Sequence, residues 1–173
     1  ARAYPTRILV WHEIVNDQIG DEAVAVTYCP LCGTAMVFDR NIGGTIRTFG
    51  VSGLLYNANV IPYDRNTDSN WSQLTLECVN GELIGTEPEM IQLIETSWST
   101  WQTFFPNTKV LSTETGHDRN YAAYPYGEYQ TNEALIFQVS NSDGRLHNKE
   151  RVHSIISGDY AKIYRFESFS NNE

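Results

Sequence analysis

Along most of this chain apolar and polar residues alternate with a period of two, and short clusters of Gly, Asn, Asp and Pro interrupt the alternation. That rhythm predicts strands joined by tight turns. Ala23 to Tyr28 reads as a strand that delivers Cys29 at its end, Thr34 to Asp39 leaves as its partner, and Gly43-Gly44 makes a second hairpin turn before Thr45 to Val51. Leu54 to Tyr63 continues as strand, and Trp71 to Ile84 forms a further hairpin with Asn80-Gly81 at its turn. Cys78 then falls inside a strand, as a small buried hydrophobe. From Glu87 the period changes: Met90, Leu93 and Ile94 fit one short helix, and Ser97 to Phe105 fits a second that Pro106 stops. Trp98, Trp101 and Phe105 share one face of that second helix and read as core. Lys109 to Thr113, Ala134 to Val139, Arg151 to Ile156 and Tyr160 to Phe166 return to strand. At the front, Ala1 to Tyr4 is a short strand ended by Pro5, and Thr6 to Trp11 is a helical turn or a bend. The expected fold is α+β and mostly β, a meander of antiparallel hairpins with two short helices on one side.

Length adds one bound: 173 residues suit a single domain, 1–173, able to bury a core without a disulfide framework. A net charge of -9 with only 12 Lys and Arg leaves no basic stripe for nucleic acid or anionic lipid. No apolar run is long enough to predict a membrane span. The Lys-poor, Tyr-, Asn-, Ser- and Thr-rich composition and the sequon Asn70-Trp71-Ser72 lean towards an extracytoplasmic protein, secreted or at the cell surface.

Several motifs fail on inspection. Trp11-His12-Glu13-Ile14-Val15-Asn16 has Asn16 where a metalloprotease helix needs its second histidine. Gly50-Val51-Ser52-Gly53 is one residue short of a nucleophile elbow. Asp64 to Asn70 spaces oxygen side chains as a calcium loop does, but Ser69 replaces the turning glycine and Thr75 the closing glutamate, so a polar hairpin loop is expected. The tyrosine-rich stretch Tyr121 to Tyr129 reads as a long ordered loop that serves either as a binding surface or as lid packing.

What survives is Cys29-Pro30-Leu31-Cys32-Gly33, two thiols on one tight turn at the tip of a hairpin. The spacing suits a metal knuckle, a thiol redox pair or a small structural disulfide. As a metal site it supplies two sulfurs; His12 is the best third ligand, and Met36 or His117 a fourth. Thiolate, imidazole and thioether together would favour copper, and two thiolates with two imidazoles zinc. As a redox site, Cys29 and Cys32 form the pair and His12 accepts a proton. Ala161-Lys162-Ile163-Tyr164 echoes Ala1-Arg2-Ala3-Tyr4, and the C-terminal copy is preceded by a strand and a turn where the N-terminal copy has none. A chain opening on such a bare edge can take a strand from another copy, so the competing class is a structural subunit of a homo-oligomer or filament held by exchanged strands.

The blocks Ala-Arg-Ala-Tyr-Pro at 1–5, Trp-His-Glu-Ile-Val-Asn-Asp at 11–17, Thr-Tyr-Cys-Pro-Leu-Cys-Gly-Thr-Ala at 27–35, Thr-Phe-Gly-Val-Ser-Gly at 48–53, Tyr-Asp-Arg at 63–65, Trp-Ser-Gln at 71–73 and Lys-Glu-Arg-Val at 149–152 together resemble a prokaryotic family classed as domain of unknown function 3179. Some of its members are labelled selenoproteins. The resemblance covers nearly the whole chain. It implies an exported or surface-associated domain with chalcogen-based redox or metal chemistry at the positions of His12, Cys29 and Cys32, and it implies no substrate. Cys78 stands where the family pattern has no cysteine, and the family's further strand before Ala-x-Ala-Tyr-Pro is lacking here.

Overall fold

The computed structural model describes residues 1–169, in two compact units that divide after Pro125. In the first unit the elements run β1 (Arg2–Ala3), α1 (Thr6–His12), β2 (Ile14–Ile19), β3 (Glu22–Cys29), β4 (Thr34–Asp39), β5 (Asn41–Ile42), β6 (Thr45–Ile46), β7 (Phe49–Tyr56), β8 (Asn59–Asp64), β9 (Asn70–Ser72), β10 (Glu77–Asn80), α2 (Trp98–Phe104) and β11 (Lys109–Val110). The mostly β, hairpin-built fold is as the alternation predicts, and of its two short helices α2 is one of the two expected. Strands β2, β3 and β4 form one antiparallel sheet with β3 central, and β10, β9, β8 and β7 form a second in that order.

Strand β3 organises this unit because both of its faces are covered. Val24, Val26 and Tyr28 pack with Leu9 and Val10 of α1. Ala25, one residue out of phase, joins Phe38, Ile42, Phe49, Trp71 and Cys78 in a second cluster shared with the β7–β10 sheet. There Phe38 meets Phe49 edge-on at 4.9 Å, and Phe49 meets Trp71 likewise at 5.7 Å. Thr27 and Cys29 share the inward phase of Ala25, which places the first thiol between the two sheets.

Several expectations change. The stretch around Met90 is extended instead of helical: Met90 bridges to Phe38, the Asp39 N–H donates to the Glu89 carbonyl, and the Ile91 N–H to that of Val37. The open edge of β4 offers backbone partners there, which a separate helical turn would leave unmet. Leu54 to Tyr63 is two strands, because Asn57 and Ala58, at φ 48° and 62°, make a two-residue turn that pairs Tyr56 with Asn59. The β9–β10 turn falls at 73–76, and the expected turn after Asn80 is a second one, in which the Cys78 N–H donates to the Thr86 carbonyl and the Gly85 N–H to that of Cys78. Gly81 opens that second turn at φ 107°, and a Cβ there would stand 2.6 Å from Ser69 Oγ. Finally, α2 is capped by Ser97, whose side chain accepts from the Thr100 N–H, but it buries none of its residues. Trp98 and Trp101 instead line an open cavity of about 860 Å³ together with Leu9, Val24 and Val26.

The opening strand β1 pairs in parallel with β11, Arg2 opposite Lys109 and Ala3 opposite Val110. In the second unit, β12 (Val152–Ser157) and β13 (Tyr160–Arg165) form an antiparallel hairpin closed at Gly158, and Ala134 to Val139 is not a strand. Lys149 is held by the carbonyls of Asn132 and Ala134 over the Tyr129 ring. Among the described residues no helix is long and apolar enough to cross a membrane.

Candidate dithiol site

The site begins as local geometry. Cys29 is the last residue of β3 and Thr34 the first of β4, paired across the turn. Gly33 closes that turn at φ 61°, with its N–H on the Cys29 carbonyl at 2.8 Å. Cys32 is thereby curled back onto Cys29, and both are free thiols. Cys29 is fully buried and Cys32 is exposed.

Around the two sulfurs stand groups from three separate stretches. The N–H groups of Cys32 and Val60 face the Cys29 sulfur, while its S–H reaches the Ala58 carbonyl at 3.5 Å and the Cys32 sulfur. The Thr34 hydroxyl donates to the Cys32 carbonyl at 3.2 Å, and the Thr34 N–H faces the Cys32 sulfur. Asn59 Nδ2 donates to Cys32 Sγ at 3.1 Å and to Gln73 Oε1 at 2.7 Å. Gln73 Nε2 in turn donates to the Thr34 carbonyl at 3.0 Å and to Thr27 Oγ1 at 3.2 Å, and the Thr27 hydroxyl donates to the Met36 carbonyl at 3.0 Å. Asn59 and Gln73 are both buried, and Asn59 Oδ1 is buried with no partner among the described residues. An unmet buried acceptor costs about 1–3 kcal/mol.

This surrounding splits the pair electrostatically. Donation from the Cys29 S–H, ahead of that from the Asn59 amide and Thr34, brings the Cys32 thiol down to about 6 against the opposing effect of burial. Cys29 moves strongly the other way: Cys32 holds its proton, burial disfavours a charge, and a neighbouring thiolate repels a second one. The arrangement is one exposed thiolate backed by one buried thiol. Thiolate character and access are what make a sulfur an attacking group.

The other predicted site residues lie elsewhere. His12 and His117 come together, ring centroids 5.3 Å apart, and His12 Nε2 shares a 2.6 Å hydrogen bond with the Tyr121 hydroxyl, itself 2.6 Å from Thr115 Oγ1. Met36 lies on β4 opposite Thr27. Among the described residues no three His, Cys, Asp or Glu side chains are grouped so as to hold a metal ion. Cys29 and Cys32 fit as two ligands of a thiophilic ion, and His12 does not join them. Cys78 is sealed in the core with its S–H on the Asn80 carbonyl at 3.5 Å, and burial pushes its thiol up. The Asp64 loop uses its carboxylate internally, accepting from Thr67, Asn66, Trp71 and Arg47. Sequence reasoning missed Asn59 and Gln73. Gln73 had one signal, the polar end of the Trp-Ser-Gln block; Asn59, behind an unforeseen turn, had none.

A family model covers residues 1–173, the whole chain, and its description is Protein of unknown function (DUF3179). The chain belongs to that family. Searches of the curated proteins and of the solved structures returned no match. For this DUF3179 protein the dithiol geometry is therefore the basis on which a function can be argued.

Proposed function

We propose that this DUF3179 protein is an extracytoplasmic thiol–disulfide exchange module in which Cys32 attacks and Cys29 resolves. The observation that carries the reading is the asymmetry of the two sulfurs: an exposed Cys32 held towards thiolate by converging donors, and a buried Cys29 that keeps its proton. A structural staple needs no such difference. In the forward step the Cys32 thiolate attacks one sulfur of a partner disulfide; a bond forms between Cys32 and that sulfur, and the partner's other sulfur leaves as thiolate. Cys29 then gives up its proton to the departing thiolate and attacks Cys32, releasing the second partner sulfur as a thiolate that takes its proton from water. Two electrons pass to the partner, which becomes two thiols, and the Cys29–Cys32 disulfide remains. The polarity is the reverse of a helix-capped Cys-x-x-Cys, where the first cysteine is the activated one. The composition and the Asn70 sequon support an oxidising, extracytoplasmic setting for such exchange.

The test uses reduced protein and bis(2-hydroxyethyl) disulfide, read by intact mass. The wild type should lose two hydrogens without retaining an adduct, Cys29→Ala should stop as a stable mixed disulfide on Cys32, and Cys32→Ala should not react. Adduct formation on Cys29 in Cys32→Ala at the wild-type rate would overturn the assignment. In a parallel titration with zinc or copper(I), metal held tightly enough to block the exchange would favour the metal-binding reading of the same two sulfurs.

A further inference from the structure

The two buried amides beside the thiols form a chain with a definite direction, and the direction can be read without reference to the sulfurs. At its far end the Thr34 carbonyl can only accept, so the Gln73 side chain must present its NH2 there, at 3.0 Å. Thr27 Oγ1 spends its own proton on the Met36 carbonyl and is left to accept the second Gln73 N–H. Gln73 Oε1 is thereby turned to Asn59, which must answer with its NH2. The remaining N–H of that NH2 falls on Cys32 Sγ. Reversing the Asn59 amide would set its oxygen against both Gln73 Oε1 and the Cys32 sulfur. It would also give a donor to the place where Asn59 Oδ1 now lies buried and unpaired. The fold thus leaves one acceptor unmet so that a donor stays on the sulfur. A local rule broken in this way marks a functional constraint.

We infer that Asn59 and Gln73 set the roles of the two cysteines: Asn59 is the donor to the attacking sulfur of Cys32, and Gln73 is a positioning residue that holds the Asn59 amide in the donating orientation. This rests on the exchange reading above and adds its selectivity device. Because a thiolate accepts a hydrogen bond far better than a disulfide sulfur does, the pair of amides also favours the reduced form, which makes the Cys29–Cys32 disulfide a readier oxidant of other thiols.

The experiment compares wild type, Asn59→Ala, Asn59→Asp, Gln73→Leu and the double variant Asn59→Ala/Gln73→Leu, each checked for a wild-type melting profile. The rate of exchange with bis(2-hydroxyethyl) disulfide is followed as a function of pH. Asn59→Ala and Gln73→Leu should each slow exchange about twofold near pH 6 for each unit by which the Cys32 thiol rises, and leave it unslowed near pH 9, where that thiol is ionised in every variant. The double variant should be no worse than the singles, because the two residues act as one unit. Asn59→Asp, of nearly the same shape, should slow the acid limb further by placing a like charge on the sulfur. In glutathione redox buffers the variants should hold their disulfide at glutathione ratios about tenfold more reducing. A Gln73→Leu protein that keeps the wild-type profile while Asn59→Ala loses it would overturn the relay, as would equal slowing at every pH. If the variants do not fold, the Asn59 side-chain NH2 resonances of the wild-type protein decide: they should move with the ionisation of Cys32, and invariance would overturn the inference. NH2 resonances that follow Cys32 in a protein that exchanges no disulfide would uphold the relay and remove only the exchange reading.

Discussion

A thiol brought down to about 6 predicts a rate profile that differs in shape, beyond its height, from that of an ordinary cysteine. Against a reference thiol of pKa about 8.5, the thiolate fraction near pH 5.5 is larger by about 240-fold, and near pH 7 by about 30-fold. Intrinsic nucleophilicity falls as pKa falls, with a Brønsted slope of about 0.4–0.5, which takes back about 13-fold over this range. The net expectation is exchange about 20-fold faster than a model cysteine peptide near pH 5.5, about 2-fold faster near pH 7, and about 10-fold slower near pH 9. The two curves should therefore cross slightly above neutrality, and the Cys32 curve should be flat from there upwards. A neutral probe such as bis(2-hydroxyethyl) disulfide suits the assay, since a protein of net charge -9 would distort the rate of a charged one. Stopped samples quenched in acid and weighed intact give the rate at each pH. Cys78, sealed in the core, should contribute no reaction. A rate that keeps rising about tenfold per pH unit through neutrality would refute the reasoning, because it would mean that the converging donors do not stabilise the thiolate.

Cys29→Ala removes the largest single donor to Cys32 and should raise the pKa of the remaining thiol, seen as a rightward shift of its alkylation profile; an unmoved profile would assign the effect to Asn59 and Thr34 alone. Asp64→Asn leaves Arg47 charged and buried opposite a neutral amide and should cost about 3–5 kcal/mol in urea unfolding. Ala58→Gly relieves a non-glycine residue at φ 62° and should raise stability by about 0.5–1 kcal/mol, measured by the same titration. His12 is lowered by burial first and then by the charges of His117 and Arg119, so the unfolded chain takes up its proton at higher pH than the folded one. Its contribution is full above the unfolded value, about 6.5, and is lost as pH falls through the folded one; His12→Gln should flatten that part of the stability–pH curve.

Much of the framework was legible in the order of residues. The strand from Ala23, the turn at Cys29 to Gly33 and the returning strand Thr34–Asp39 lie next to one another in the chain, and alternation, a proline and a left-handed glycine determine them locally. The same holds for the C-terminal hairpin at Gly158. Where prediction and structure part, a distant partner decided. The stretch at Met90 has a helical spacing but is drawn extended by the free edge of β4, about fifty residues earlier in sequence. The aromatic face of α2 looks like core and lines a cavity instead, because no element covers it within its unit.

The site divides along the same line. Two thiols held on one turn follow from five consecutive residues, because a tight turn is a short-range object. Which sulfur attacks does not follow from them. Asn59 reaches Cys32 from 27 residues away, and Gln73 reaches the Thr34 carbonyl across 39. An amide's direction is set only by the acceptors packed against it, and those arrive when the two sheets close over β3. The sequence determined that there is a dithiol; the tertiary structure decided its polarity, since hydrogen-bond direction is a property of packed neighbours and has no period along the chain.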